Sequence, residues 1–152
     1  MIDTSPKASR VFSVADANAT LPLVKSIVRD IVELAQQVFQ TRRRLDYLAA
    51  NRAKGLEYYD EELVEMTRQV EDDEQRLSDL ISEVNELGME VANMTHGEVE
   101  FPSTRGGEPV LLHWQLGDQE VGWWYPAGSD KSERQPLEDS ILHEFGKAPM
   151  VS

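Results

Sequence analysis

The chain has no cysteine. That excludes disulfide staples, thiolate metal sites and cysteine nucleophiles, and it fits a bacterial-type cytoplasmic protein. Basic residues are scarce: 15 Lys and Arg stand against 28 Asp and Glu, a formal net charge of −13. Such a surplus of acid makes free nucleic acid and anionic membrane surfaces poor partners, because phosphate neutralisation needs Lys and Arg. No apolar run approaches the roughly 20 residues that span a bilayer, and the opening MIDTSPKASR lacks the apolar core of a signal peptide. Aromatic residues make up only 7% of the chain. Yet all three tryptophans fall in one stretch, HWQLGDQEVGWWYP, residues 113 to 126.

What is present is charge arranged in blocks. From Leu21 to Lys54 seven basic residues face three acidic ones, a local charge of +4. From Glu57 to Val91 thirteen acids meet two arginines, a local charge of −11. Neighbouring segments of opposite sign are expected to lie against each other. Their apolar residues agree. Val24, Ile31, Val38 and Leu45 recur every seven residues, with Ile27, Leu34 and Leu48 beside them and Val28, Ala35 and Ala49 as a third row. A second pattern runs through Leu63, Val70, Leu77, Val84 and Val91, with Met66, Leu80 and Leu87 alongside. Two helices of roughly 45 Å follow, antiparallel across a short turn near Gly55, which would stop the first helix at its C′ position. The polar interruptions Thr41/Arg42 and Asp73 fall close together in this register, so an Arg42–Asp73 contact is expected to set it.

The entry segment VFSVADANATLPLV begins with a β-like run, Arg10 to Phe12. Ser13 then suits an N-cap, with Asp16 where a capping-box acid would sit. Asn18 and Pro22 punctuate the entry, and the main helix is expected to restart near Leu21. Beyond Asn93 the period changes. Val99 to Phe101 reads as a short strand and PSTRGGEP as a turn. Residues 110 to 116 and 121 to 125 alternate as a hairpin. If Leu116 faces Val121, then Trp114 pairs with Trp123 on the inner face, and His113 sits beside Trp124 on the other. That second face would be covered by more of this chain, by a second subunit or by a ligand. LEDSILHEF suits a short final helix. The fold expected is α+β: one domain over residues 1 to 152, with a loose tail at 1 to 9, an entry segment and helical hairpin at 10 to 93, a small antiparallel sheet at 97 to 127, and a polar, partly disordered tail at 128 to 152.

Candidate chemistry is sparse. His113, paired with Glu98, Glu100 or Glu120, could serve as a general base, although a lone strand histidine is more often structural. Asp16 is the other candidate acid. Ser103 to Gly107 could cradle an anion with Arg105, but a plain turn explains it better, since the lysine and the strand–loop–helix setting of a phosphate loop are missing. The acidic run Glu71 to Glu74 lies on consecutive helical positions that point about 100° apart, so it is not a cage for a cation. Arg42-Arg43-Arg44 is better explained as a partner of acids on the second helix than as a phosphate site. Three histidines without common spacing are no zinc signature, and no G-x-S-x-G, H-E-x-x-H, G-x-G-x-x-G or EF-hand pattern occurs.

The ordered blocks VFSVADANATLPLV, EVEFPS, LLHWQLGDQEVGWWY and RQPL make residues 10 to 137 resemble the family of bacterial and archaeal proteins known as DUF2203. The motif positions are Phe12, Ser13, Asp16, Ala17, Asn18, Leu21, Pro22, Phe101, Pro102, Ser103, Trp114, Gly117, Trp124 and Arg134 to Leu137. The resemblance supports the architecture and implies no established activity. It also marks two departures: relatives carry cysteine at His113 and histidine at Tyr125, so a metal or redox role of that pair would not carry over. These readings lead to a cytoplasmic, non-enzymatic interaction or assembly protein, a homodimer through its helices, with no cofactor or metal implied. The alternative is a small-molecule or anion site, with at most hydrolytic or isomerising chemistry, between the aromatic hairpin and the entry segment. Its candidate groups are Asn18, Arg105, His113, Trp124 and Arg134.

Overall fold

Val14, Ala17, Leu21, Val24, Val28 and Ile31 follow one another at spacings of three and four, and all are buried. That stripe is unbroken across Pro22, and it decides where the first helix begins. In the computed structural model, which describes residues 10–53 and 60–147, α1 runs without interruption over Val14–Ala53. The expected restart at Leu21 is thereby corrected. Proline 22 takes away the N–H that Asn18 would have received, at a cost of up to about 3 kcal/mol. Burial of apolar side chains on both sides of it, each contributing about 1.5–3 kcal/mol, outweighs that loss. Ser13 caps the helix, its Oγ accepting the Asp16 N–H at 3.0 Å. The second helix, α2, covers Asp60–Glu86 with three acids in its first turn, where they complement the helix dipole. At 1.5 Å per residue the two rods are about 60 and 40 Å long, unequal where the sequence suggested equal lengths. The Gly55 turn and both chain ends lie outside the described residues, and none of the described helices is long and apolar enough to cross a membrane.

Arg42 meets α2 one residue beyond the expected partner. Its guanidinium takes both carboxylate oxygens of Glu74, at 2.6 and 3.1 Å, while Asp73 accepts from the Gln69 side-chain amide. One residue is 100° of helix, so a small error in the supposed register exchanges neighbouring acids. A second tie joins Arg44 to Glu62 at 3.3 Å.

Five antiparallel strands follow as a meander in the order β1-β2-β3-β4-β5: Glu90–Asn93, Glu98–Arg105, Glu108–Gln115, Trp123–Pro126 and Gln135–Pro136. The first lies where α2 was expected to end, near Gly88 or a turn beyond; Val91, which continues the seven-residue row of α2, stands in a strand instead. The second absorbs PSTR, so the expected long turn shrinks to Gly106-Gly107. Both glycines have positive φ, +59° and +84°, as the two central residues of a type I′ hairpin turn require. Pro102 is tolerated in β2 because β1 pairs only as far as Glu100. The free edge there is taken by the entry segment: the Phe12 N–H donates to the Pro102 carbonyl at 2.8 Å, and the Ser103 hydroxyl to the Phe12 carbonyl at 2.6 Å.

Between β3 and β4 the pairing is Leu112 with Trp124 and His113 with Trp123. This is one residue away from the expected register, and a slip of one exchanges the faces. Trp114 and Trp124 therefore lie on the inner face with Val99, Phe101 and Leu112, in a core completed by Phe12, α1 and α2. Trp123 shares the outer face with His113 and Tyr125. The cause is the connection. Residues 116 to 122 form a seven-residue loop in which Asp118 accepts from the Trp114 indole and the Gln115 N–H, and Asn18 of α1 accepts the Val121 N–H at 2.8 Å. A 3-10 turn at Asp139–Glu144 occupies the place of the expected final helix.

Candidate functional site

The outer face of the sheet carries an unusual load. Alternation along β2 puts Glu98 and Glu100 there, and β3 adds His113 between them. Tyr125 joins from β4. Glu98, His113 and Tyr125 are each no more than 4% exposed. Burying ionisable groups is costly unless they find partners, and here the partners are one another. Lys131, on a 3-10 turn at Lys131–Glu133, donates to both oxygens of Glu98 at 2.6 and 2.8 Å. The Tyr125 hydroxyl donates to Glu100. The His113 imidazole stands between the two carboxylates, Nε2 at 3.6 Å from Glu98 and Nδ1 at 3.9 Å from Glu100. Both distances exceed a hydrogen bond, and buried Nδ1 has no hydrogen-bond partner among the described residues. His96, largely exposed, stands 3.9 Å from the other oxygen of Glu98.

In chemical terms this is a row of ionisable groups, Tyr125, Glu100, His113, Glu98 and Lys131, hydrogen-bonded at its two ends and open at the imidazole, running from the buried sheet face to a half-exposed ammonium. It is not a metal cage. The ring separates the two carboxylates, each nitrogen facing a different one, and among the described residues no three His, Asp or Glu side chains are arranged to hold an ion. The two departure positions, His113 and Tyr125, are neighbours in this cluster, with ring centroids 6.3 Å apart.

The other candidates are not gathered here. Trp124 faces the core, packed edge-on against Phe145 with centroids 5.4 Å apart. Its indole N–H is buried without an acceptor among the described residues. Arg105 lies over Trp124 and donates to Glu144 at 2.9 Å, tying the hairpin end to the C-terminal turn. Arg134 stacks on Trp123, its guanidinium carbon 5.0 Å from the ring centroid. Asn18 holds the β3–β4 loop on the helix side, and Asp16 is exposed in the first turn of α1. The five groups are thus spread over both faces of the sheet. Of the three acids considered for His113, Glu98 and Glu100 adjoin it. Lys131 was not anticipated, since it comes from a polar segment whose path over the sheet no local pattern reveals.

A separate cavity of about 580 Å³ opens beside the entry segment, walled by Ser13, Val14, Asn18, His143, Phe145 and Lys147 among others. Of the candidate binding groups, only Asn18 reaches it.

No curated protein and no solved structure matches the chain. Residues 10–137 match the family described as "Uncharacterized conserved protein (DUF2203)", and the chain belongs to that family.

Proposed function

We propose that the protein is a non-enzymatic interaction or assembly protein of the cytoplasm, working as a homodimer through its helical hairpin. The observation that carries this reading is the far half of the hairpin. On this arm, beyond about residue 35 of α1, the buried apolar side chains among the described residues are those of a single two-helix seam, Leu45, Leu48, Val70 and Leu77. On the same arm Phe39, Tyr47 and Val64 are 62%, 58% and 70% exposed. Single exposed apolar residues are ordinary. Three large ones on a short, charged arm fit a surface that another helical layer covers. An apolar groove of about 390 Å³, lined by Val32, Ala35, Phe39 and Thr95, lies where α1 leaves the sheet and adds to that surface.

Sedimentation and native mass spectrometry at micromolar concentration test the reading. A species of twice the 17.2 kDa chain mass, reduced to single chains by Phe39→Glu, is the expected result. A folded monomer at all concentrations would sink it. The cavity beside the entry segment favours a second reading, a small-molecule site, since Lys147 gives its wall a cationic edge suited to an anion, with the His143 ring beside it. A reproducible extra mass on the native protein, lost in a Lys147→Glu variant, would move the conclusion there.

A further inference from the structure

The outer-face cluster is reached from the segment after β4 through Lys131 on Glu98. No residue from Pro126 to Pro136 is buried, and only Ser129 is even half-buried. The segment is pinned at both ends. Ala127 donates to the Pro109 carbonyl at 3.1 Å, and after it β5 pairs with β4 while Leu137 donates to the Gly122 carbonyl at 2.9 Å. From Gly128 to Glu133, two described bonds reach the sheet: the Ser129 N–H donates to the Pro126 carbonyl at the end of β4 at 3.1 Å, and Lys131 donates to Glu98. This loop has the marks of a low-stability unit: little apolar burial, solvent-exposed backbone bonds and one charged tie. His113, 3.6 Å from that same carboxylate, is 3% exposed and holds a buried nitrogen with no hydrogen-bond partner among the described residues.

We propose that residues 128 to 133 form a lid latched by Lys131 on Glu98, and that lifting it opens Glu98, His113 and Glu100 as an acid–base site for a ligand carrying a primary ammonium group. The ligand class follows from the latch. The Lys131 ammonium occupies the open side of a carboxylate with the imidazole behind it, so a free amine that displaces it meets the same two oxygens. Charge-assisted contacts of this length are the strong ones. In the closed form the lid itself fills the subsite, so access is governed by the opening equilibrium.

Diethyl pyrocarbonate, which modifies accessible imidazoles, provides the test with internal controls. His96 and His143 are exposed and should react in every variant. His113 should react at least about tenfold more slowly in the intact protein, and about tenfold faster in Lys131→Met than in the intact protein. Lys131→Arg, which keeps a cation on Glu98, should retain the slow rate. An unchanged His113 rate in Lys131→Met overturns the latch, and a His113 as reactive as His96 in the intact protein overturns the lid. Should Lys131→Met unfold, amide exchange of the intact protein decides: residues 128 to 133 must exchange well ahead of β3, and equal rates overturn the proposal. For the ligand, Lys131→Ala is titrated with methylammonium chloride against sodium chloride at equal ionic strength. A saturable shift of the His113 ring signals alone supports the ammonium subsite, and no shift overturns it.

Discussion

Gly97, in the turn between β1 and β2, lies against Val28 and Val32 of α1, and replacing it with alanine is a direct probe of that contact. Its φ is +73°, and a Cβ there would lie 2.8 Å from Leu116 Cβ and 3.1 Å from methyl carbons of both Val28 and Val32. The backbone cannot swing away freely, because the Gly97 N–H donates to Asn93 and its carbonyl accepts from Leu116. Two costs add. A left-handed conformation in a residue with a Cβ costs about 1–2 kcal/mol, and forcing a methyl into a packed site costs about 1–3 kcal/mol. Gly97→Ala should therefore lose about 2–5 kcal/mol, read from the urea midpoint at constant slope. In a chain of this size that lowers the thermal midpoint by roughly 5–15 °C. Gly106→Ala is the control. It also has positive φ, +59°, but no atom within 4 Å of the added carbon, so it should lose only about 1–2 kcal/mol. If both variants lose the same amount, helix–sheet contact is not what Gly97 serves and the packing argument fails.

Four further outcomes follow from the geometry. Trp124→Ala should cost about 3–5 kcal/mol and Trp123→Ala well under that; calorimetry showing the reverse order would restore the other register of β3 on β4. Asn18→Ala leaves the N–H of buried Val121 without its acceptor and should cost about 1–3 kcal/mol in chemical denaturation, whereas a neutral result would remove Asn18 as the clamp on that loop. The Asp130 carboxylate is held below the ordinary aspartate range, chiefly by the backbone N–H of Ser132 and then by that residue's side chain. A depressed carboxylate stabilises fully above its unfolded value and loses that contribution as pH falls through the folded one. Amide exchange around residues 131 to 133, corrected for intrinsic rates, should thus rise below the ordinary aspartate range, and Asp130→Ala should flatten that rise. Finally, Arg42→Ala should leave the denaturation midpoint almost unchanged at physiological salt, because the pair with Glu74 is exposed on both sides. A large loss would mean that the pair sets the register after all.

The parts of this fold legible in the sequence were those with a long period. Ten or more turns of helix repeat the same signal, and Ser13, Asp16 and the acids at Asp60 mark the starts by a mechanism that acts within one turn. Short elements were less readable. Four residues, Glu90 to Asn93, cannot distinguish a strand from the end of an amphipathic helix, and Val91 fitted both. Pro102 argued against a strand because nothing local reveals that its side of β2 stays unpaired by β1. The hairpin slipped by one because its loop is fixed from outside, by Asn18 about a hundred residues upstream. That slip exchanged the environments of Trp123 and Trp124. His113 falls on the same face as Glu98 and Glu100 in either register of β4, since alternation along β2 and β3 alone puts all three there. Lys131 could not be found the same way: it reaches its carboxylate through tertiary folding alone.

The meander order bears on how the chain comes together. Every strand pairs with its neighbour in sequence, so the sheet closes through short loops with little entropy to overcome. The expensive closures are those that bring residues 10 to 18 onto β2 and the β3–β4 loop about 90 to 100 residues later: Phe12 on Pro102 and Asn18 on Val121. Loop-closure entropy grows slowly with length, but it must be met before those contacts repay it. The first turn of α1 is the natural late arrival, and substitutions there should speed unfolding far more than they slow folding. A segment made before the sheet would then be the last to be fastened to it.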